Sequence, residues 1–538
     1  MPSIKILKYH EETKHHRHRM ARSSGYLDWQ NQPNPFRFYQ DTDRFELPFL
    51  KRDPDLPYLD LYTPSQKKSC PFELASIAAF LELSLALSAW KATPTHSWSL
   101  RINPSSGNLH PTEAHLILPP ILIDSAGIFH YAPFSHTLEL RAVIPNVLWK
   151  KLTTHFQTNG FFIALTSIFW RESWKYGERA FRYCQHDVGH ALCCLNFAAQ
   201  IHNWSLTCLY DLSDEEITTL VGLDRVKWDS TDQEHPDVLC WISPSHKTSG
   251  VHDLPQAIIR EFRLLSFSGQ PNALSLKSII WDLVEDAAQA SRKQRTKTSA
   301  TALRPLSQSD VKKVSIPATK VIRNRRSAVN YDGGKKILAE QLFAILDKTL
   351  PYPNSTPFNI LPNLDHIDLF LFVFLVENFA PGLYFFIRNE THFSSLKKAV
   401  HQDFTWNKIH PHLPLYKLAE GDYRIQAIEA SCFQNIAGFS AFSLAMIAPL
   451  PQVVQTAPYR YRQLFWEAGI IGQILYLGAE AHGLRGTGIG CYFDDEIHDL
   501  IGFKNNTFQS LYHFTIGHSI DDKRLTTLPA YHHLDRNS

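Results

Sequence analysis

The sequence lacks an excess of charge of one sign and lacks the cysteine spacing of a metal site. Its 538 residues include 54 Lys and Arg against 52 Asp and Glu, a net charge of +2, whereas a surface that binds nucleic-acid phosphates normally carries a clear basic excess. None of the eight cysteines belongs to a C-x-x-C pair or to another spacing typical of zinc sites or disulfide frameworks. These absences predict no nucleic-acid partner, no metal and no disulfide scaffold.

Long apolar runs are also missing. The longest, at 369–376, has eight residues, far fewer than the roughly 20 that a membrane helix requires, and it is better explained as a buried strand. The N-terminus has no continuous apolar segment of the kind found in signal peptides. With cysteines that suit a reducing compartment, these features predict a cytoplasmic protein with no membrane span.

A long-range internal repeat is present instead. Placing each residue against the one 280 positions later gives 11 identities over the 42 positions from 182 to 223, where ordinary composition would give about two or three. The repeat predicts long helices at 178–203 and 458–483, each followed by a short helix at 214–221 or 494–501. The simplest explanation is a tandem duplication, in which two domains of one fold pack face to face like a homodimer fused into one chain.

Composition shifts divide the chain further. Residues 1–65 are rich in His, Pro and aromatics without a regular period, and we predict an extended N-terminal arm whose histidines form a solvated basic patch more readily than a metal site. The first domain is predicted at 66–290. The polar, basic stretch around 291–318 is predicted to be a linker, and the second domain follows at 319–538.

Polar residues concentrate in a loop of the first copy. The loop Pro104-Ser-Ser-Gly-Asn108 follows a helix predicted over 72–91 and precedes a strand predicted at 114–118. The glycine permits a tight turn, and the serine and asparagine side chains could present donors and acceptors to a planar ring. An ordinary helix-to-strand turn explains the same residues equally well.

The second copy carries two other clusters. Arg325-Arg326-Ser327 suits a phosphate monoester, although a charged surface turn is an alternative explanation. In 485–491 three glycines alternate, but they follow a long helix instead of a strand, which argues against a Rossmann turn. The first copy lacks these glycines and the second lacks the serine-rich loop. The two copies together therefore predict a single composite pocket at their interface.

These three motifs, in this order, resemble those of the nitroreductase superfamily, and within it the SagB-type dehydrogenases in a double-length form. The resemblance implies an α+β fold with two tandem nitroreductase-like domains packed as an intramolecular pseudo-dimer. It also implies non-covalently bound FMN at the domain interface and an FMN-dependent oxidoreductase that transfers hydride through flavin N5 at one composite site.

The resemblance also implies roles for individual residues. The phosphate and ribityl end would be held by Arg325, Arg326, Ser327 and Arg524. The ring would be covered by Pro104, Ser105, Ser106 and Asn108, and its N5 edge would lie beside Gly488, Gly490 and Cys491. The family often has a basic residue where this chain has Val329. Lys175 and Tyr176 resemble an acid–base pair of azoline-oxidising relatives, with a helix-start lysine beside a packing tyrosine as the alternative.

The implied partners are a small-molecule or peptide substrate and a nicotinamide reductant that would visit the flavin pocket, since no Rossmann unit is present to hold it. The alternative from a different class is a non-catalytic flavin-binding or scaffold protein that retains the fold.

Overall fold

The structure, a computed structural model of the chain, describes residues 1–63, 68–228, 231–244, 250–297 and 315–534. Two seven-stranded sheets with helices packed against them form the body, and every strand pairing in them is antiparallel. No helix within the described ranges is both long and apolar enough to cross a membrane.

The first half of the chain builds one sheet in the order β2-β7-β6-β5-β8-β10-β9. The strands of this half, including four outside that sheet, are β1 (Tyr39–Gln40), β2 (Arg44–Glu46), β3 (Leu87–Ala92), β4 (Ser97–Arg101), β5 (Thr112–Leu118), β6 (Ala126–Ala132), β7 (Thr137–Ile144), β8 (Phe161–Ser167), β9 (Ser205–Cys208), β10 (His235–Ser243) and β11 (Gln270–Pro271). Its helices are α1 (Pro2–Glu12), α2 (Leu74–Glu82), α3 (Asn146–Phe156), α4 (Phe169–Tyr176), α5 (Ala180–Ile201), α6 (Asp214–Val221), α7 (Gln256–Phe262) and α8 (Asp282–Ala290).

The second half builds a sheet in the order β14-β15-β13-β12-β16-β18-β17. Its strands are β12 (Asp368–Val373), β13 (Gly382–Phe386), β14 (Asn407–Lys408), β15 (Leu415–Glu420), β16 (Phe442–Ala448), β17 (Arg485–Ile489), β18 (Gln509–Gly517) and β19 (Thr526–Leu528). Its helices are α9 (Ala318–Asn324), α10 (Ala339–Asp347), α11 (Phe393–Ala399), α12 (Arg424–Ala430), α13 (Ile436–Phe439), α14 (Leu450–Thr456), α15 (Arg460–Ala481) and α16 (Asp494–Ile501).

The two sheets repeat one topology, so the predicted α+β fold with two tandem domains is confirmed. Six of the seven positions correspond one to one, and the seventh in each sheet is a short edge strand, β2 or β14. The predicted long helices are α5 and α15, and the predicted short helices are α6 and α16 with the expected bounds. The apolar run at 369–376 forms most of β12, which is buried throughout.

The long helices α5 and α15 cross at the pseudo-two-fold axis between the halves. A side chain on Gly189 would collide with the carbonyl oxygen of Trp466, and one on Gly469 would collide with that of His186. These are reciprocal contacts, because each pair is related by the shift of 280 residues. The recurrent glycines of the sequence repeat are therefore explained by the close approach of the two helix backbones.

Reciprocal ion pairs flank this crossing. Arg182 of the first half donates to Asp494 of the second at 2.8 Å, and Arg462 of the second half donates to Asp214 of the first at 2.8 and 2.9 Å. All four side chains are buried. The recurrent Arg and Asp positions thus form an isologous interface, in which the same surface is used on both sides.

Three local expectations were wrong. The helix predicted over 72–91 ends at Glu82, and residues 87–101 form the hairpin β3-β4, which is extended by β19 from the C-terminal end of the chain. The N-terminal region is not wholly extended, because Pro2–Glu12 is α1, packed against α8 and α14. His10 and His15 are buried, not solvated.

Part of the predicted linker, residues 298–314, lies outside the described residues. The domain boundaries at 65, 290 and 318 stay a prediction.

Candidate functional site

A cavity of about 470 Å³ lies between the two halves, a volume within the usual range of small-molecule and cofactor sites. Both halves line it, and all three sequence motifs meet there. The first half contributes Lys91, Trp98, Leu100, Arg101, Asn103, Pro104, Ser105, Ser106, Gly107, Asn108, His110, Tyr176, Tyr183, Asp187 and His190. The second half contributes Arg325, Arg326, Ser327, Val329, Gln434, Tyr476, Gly488, Ile489, Gly490, Cys491, Tyr512 and Leu525.

The serine-rich loop between β4 and β5 forms one wall. Gly107 and Asn108 both have positive φ, +59° and +61°. The Asn108 side chain donates to the Ser99 carbonyl at 2.9 Å, and Ser105 Oγ accepts from the His110 N–H at 2.8 Å. The Asn108 and Ser105 side chains therefore stabilise the conformation of the loop itself. The sequence had predicted that they would face a ligand.

A buried ionic network supports the end of this loop. Arg171 on α4 donates to the His110 carbonyl at 2.7 Å and pairs with Glu113 on β5. Glu113 in turn contacts His130, which also contacts Glu139, at 3.1 and 3.0 Å. Because all four of these charged side chains are almost completely buried, removing any one of them leaves a partner charge unpaired in the protein interior.

The network makes the free energy of unfolding depend on pH. Burial alone would lower the pKa of His130, but hydrogen bonds to Glu113 and Glu139 outweigh burial and raise it to about 9. Since the folded-state pKa lies above the unfolded value near 6.5, the stabilisation is complete below pH 6.5 and is lost as the pH rises toward 9. We expect the free energy of unfolding to fall by about 1 kcal/mol per pH unit in that window. In a His130→Gln variant, measured by urea denaturation, this contribution should be absent, and an unchanged slope would contradict the assignment.

Lys175 and Tyr176 lie directly behind the loop, where α4 ends. A side chain on Gly107 would approach the Tyr176 hydroxyl to 2.6 Å and Lys175 Nζ to 3.2 Å, so a larger residue would displace the ends of these two side chains. Tyr176 lines the cavity, whereas Lys175 faces a separate surface recess beside residues 23–27, which Tyr176 also lines. Burial raises the pKa of Tyr176 well above its usual range, and the hydroxyl is therefore protonated at neutral pH.

Two acidic residues that the sequence analysis missed lie beside them. Asp187 on α5 lines the cavity, and its Oδ1 accepts from the Ser106 N–H at 3.2 Å. Burial raises the pKa of Asp187 to about 7 and that of Glu172 well above its usual range. The one available signal was the repeat, because position 467, the counterpart of 187, is also acidic.

The arginine cluster of the second half forms the opposite wall. Arg325 is buried, lies over the ring of Tyr476 at 5.2 Å, and donates from Nη2 to the Arg101 carbonyl at 3.1 Å. Its Nε has no hydrogen-bond partner among the described residues. Ser327 Oγ lies 2.9 Å from the Tyr476 hydroxyl. The cluster follows the C-terminus of α9, so the N-terminus of that helix does not assist it.

Gly486 and Gly488 belong to β17, which pairs with β18, and Gly490 follows the end of that strand. A side chain on Gly488 would collide with the Tyr512 hydroxyl, and one on Gly490 with the ring of Tyr183. These glycines are therefore required first for tyrosine packing. The Gly490 carbonyl accepts from Tyr183 Oη at 3.0 Å and Arg179 Nη2 at 3.2 Å, so the N–H of Cys491 in the same trans peptide points the opposite way.

Like Lys175, Arg524 is a predicted site residue that does not line the cavity. Its side chain is 86% exposed and pairs with Asp522. Its neighbour Leu525 lines the cavity instead.

In the second half, an arginine side chain occupies the position that corresponds to the cavity beside Asp187. Glu467, the counterpart of Asp187, accepts from Arg388 Nη1 at 2.6 Å. Arg388 also donates to the carbonyls of Thr349 and Ile367 at 2.6 and 2.7 Å and is buried. A guanidinium with four carbonyl or carboxylate partners occupies this position, which makes the halves unequal.

Comparison with known proteins identifies the fold. No protein-family model matches the chain, and no curated protein matches it by sequence. The crystal structure of an inferred nitroreductase from Anabaena variabilis aligns with a TM-score of 0.69 and 20% identity, covering 96% of this chain and 99% of the other. The chain therefore contains two nitroreductase-like domains packed as an intramolecular pseudo-dimer.

Two further solved structures align over part of the chain. An inferred nitroreductase from Ralstonia eutropha is 16% identical, with 42% of this chain and 97% of the other covered and a TM-score of 0.29. A chain of the E. coli microcin synthetase McbBCD complex, with truncated pro-MccB17 bound, is 15% identical, with 50% and 83% covered and a TM-score of 0.28.

Proposed function

We propose that the chain is an FMN-dependent oxidoreductase of the nitroreductase kind, in the SagB-type dehydrogenase branch, with a single composite site between its domains. The observation that carries the proposal is the meeting of loop 104–108, cluster 325–327 and strand end 488–491 around one cavity. These segments are more than 150 residues apart in the sequence, and each supplies a different kind of contact.

The donor set suits FMN. Arg325, Arg326 and Ser327 bring two guanidinium groups and a hydroxyl to the cavity lining, the kinds of group that bind a phosphate monoester. The buried, unpartnered Nε of Arg325 is a donor that a phosphate oxygen would satisfy. Loop 104–108 and the glycine strand present mainly backbone and small side chains, as the faces and edge of a planar ring require. Bound FMN would supply hydride transfer to and from its ring.

The protein's own groups have distinct tasks in this proposal. The Cys491 N–H, held in orientation through the Gly490 carbonyl, is the backbone donor toward the flavin edge. Tyr176 keeps its proton at neutral pH and can donate it. Asp187, with a pKa of about 7, can gain and lose a proton under cellular conditions, which is the property of a general acid–base group.

The partners proposed are a small-molecule or peptide substrate and a nicotinamide donor that enters the same cavity in turn, and the proposed location is the cytoplasm.

The proposal is tested by purifying the protein and recording its visible spectrum after addition of FMN. We expect stoichiometric FMN and bleaching of the flavin bands by NADH or NADPH under anaerobic conditions. Colourless protein that cannot be reconstituted with FMN would favour the alternative, a scaffold that retains the fold.

The Lys175–Tyr176 pair, which the sequence resemblance predicts to act in acid–base chemistry, gives a separate prediction. Lys175→Ala and Tyr176→Phe should each lower turnover by about 100-fold, the usual contribution of a positioned proton donor, while FMN remains bound. Turnover is measured under steady-state conditions and flavin content by absorbance. Lys151→Ala, which removes an exposed lysine paired with Glu261 on α7, is the matched control and should leave both quantities unchanged. Normal turnover in Lys175→Ala would remove this lysine from the mechanism.

A further inference from the structure

Two cysteines of the second half lie together beside the cavity, and one of them lines it. Cys491 follows β17 and lines the cavity, and Cys432 follows α12. Their sulfur atoms lie 2.8 Å apart, both residues are half-buried, and both thiols are free. Since a disulfide bond is about 2.05 Å long, closing it requires the sulfur atoms to approach by less than about 1 Å.

The backbone on both sides holds the two sulfurs together. Cys432 and Phe433 have consecutive positive φ angles of +53° and +59°, a conformation that is unfavourable for residues other than glycine and that needs support from its surroundings. Gln434 supplies part of this support, because its Nε2 donates to the carbonyls of both Ser431 and Cys491 at 2.9 Å.

The surroundings favour a thiolate on Cys491. Ala21 N–H donates to His15 Nδ1 at 2.9 Å, so a neutral His15 ring carries its proton on Nε2 and can donate it to Cys491. Hydrogen bonds from Cys432 and His15, with the positive charge of Arg179, lower the pKa of Cys491 to about 5, while the same contact raises the pKa of Cys432. These contacts favour the thiolate form of Cys491, with the Cys432 thiol beside it.

We propose that Cys491 and Cys432 form a dithiol that exchanges with low-molecular-weight disulfides, with Cys491 as the attacking group and Cys432 as the resolving group. The site does not depend on the flavin proposed above, because both sulfurs and the groups that polarise them belong to the chain.

The exchange proceeds in two balanced steps. The Cys491 thiolate attacks one sulfur of the external disulfide, whose S–S bond breaks, so that a mixed disulfide forms and one thiolate leaves and takes up a proton. Cys432 then loses its proton and attacks the Cys491 sulfur, which releases the second thiol. Two protein thiols have been oxidised by two electrons to one disulfide, and the external disulfide has been reduced to two thiols.

The chain contains a matched comparison. Cys208 and Cys240 lie opposite each other on β9 and β10, with sulfur atoms 3.1 Å apart. Both are buried and neither lines the cavity, and burial raises the pKa of Cys208 well above its usual range. This pair has nearly the same separation but is buried away from the cavity, so it should not exchange in the native protein.

The experiment treats native, full-length protein with oxidised glutathione, blocks the remaining thiols by alkylation after an acid quench, and maps peptides by mass spectrometry. The expected result is a Cys432–Cys491 cross-link with two glutathione thiols released per chain, while Cys208 and Cys240 are recovered alkylated. In Cys432→Ser, which lacks the resolving thiol, Cys491 should retain one glutathionyl group. In Cys491→Ser, Cys432 should remain unmodified.

Three results would overturn the proposal, given far-ultraviolet circular dichroism that shows each variant folded. They are recovery of Cys491 as a free thiol in the wild type, absence of the glutathionyl adduct in Cys432→Ser, and reaction of Cys208 or Cys240 as fast as Cys491. Because FMN is not part of the measurement, a failure here leaves the proposed oxidoreductase function testable by its own spectrum.

Discussion

Replacing Arg325 with alanine is expected to give a folded protein that no longer retains FMN. Arg325 is buried at the cavity and keeps one donor, Nε, without a partner among the described residues. If a phosphate completes this site, truncation leaves that anion without its buried counter-charge, which typically costs about 4 kcal/mol, or about a thousand-fold in the dissociation constant. Fluorescence titration with FMN measures this change.

Two variants control for indirect effects. Arg323→Ala removes a guanidinium two positions earlier that pairs with Asp53 and Glu82 outside the cavity, and it should bind FMN as the wild type does. Arg325→Lys keeps the charge but loses the planar donor group, and it should show intermediate affinity. Wild-type affinity in Arg325→Ala, at an unchanged thermal midpoint, would place the phosphate elsewhere.

The second large effect is expected at the domain interface. Asp494→Asn should lower the free energy of unfolding by about 3–5 kcal/mol, because it preserves the shape of the side chain but leaves two buried guanidinium groups without their anion. Asp494 accepts from Arg179 and Arg182 at 2.9 and 2.8 Å and from the His15 N–H at 2.9 Å. Equilibrium urea denaturation measures the loss.

The repeat supplies the control. Asp214, the counterpart of Asp494, pairs with the single guanidinium of Arg462, so Asp214→Asn should cost less. Equal losses in the two variants would show that the second arginine adds nothing at Asp494. The two guanidinium groups also hold the pKa of Asp494 well below its usual range, so its contribution is present above the unfolded pKa and is lost only in strong acid.

Much of the fold was predictable because duplication leaves a signal in one chain. The recurrent Arg, Gly and Asp positions around 182–222 include the residues that meet across the pseudo-two-fold axis. Because this interface uses the same positions in both halves, the same residue types occur in both copies. The helices α5, α6, α15 and α16 followed from the same comparison. Loop 104–108 and cluster 325–327 were identified from their residue types, and the structure brings them together at the cavity.

The errors have local physical causes. Leu81, Leu85 and Ala89 fit a helical period, whereas Leu85, Leu87 and Ala89 fit an alternating one. The sequence does not reveal that the strand β19, more than 430 positions later, pairs with this segment. Asp187 was missed because its surroundings are set by a loop 80 positions away. The glycines of β17 were noticed, but the tyrosines that need the space were not visible from spacing alone.

Arg388, which lies beside Glu467 at the counterpart of the Asp187 position, shows how the sequences of the two halves can diverge. In a dimer of identical subunits, a substitution that blocks one site blocks its twin, and the assembly loses all activity at once. Covalent fusion removes that constraint, since Arg388 can fill one side while Asp187 lines the cavity on the other. One half can then keep a cavity while the other keeps a buried ion pair, and the interface between α5 and α15 is retained in both cases.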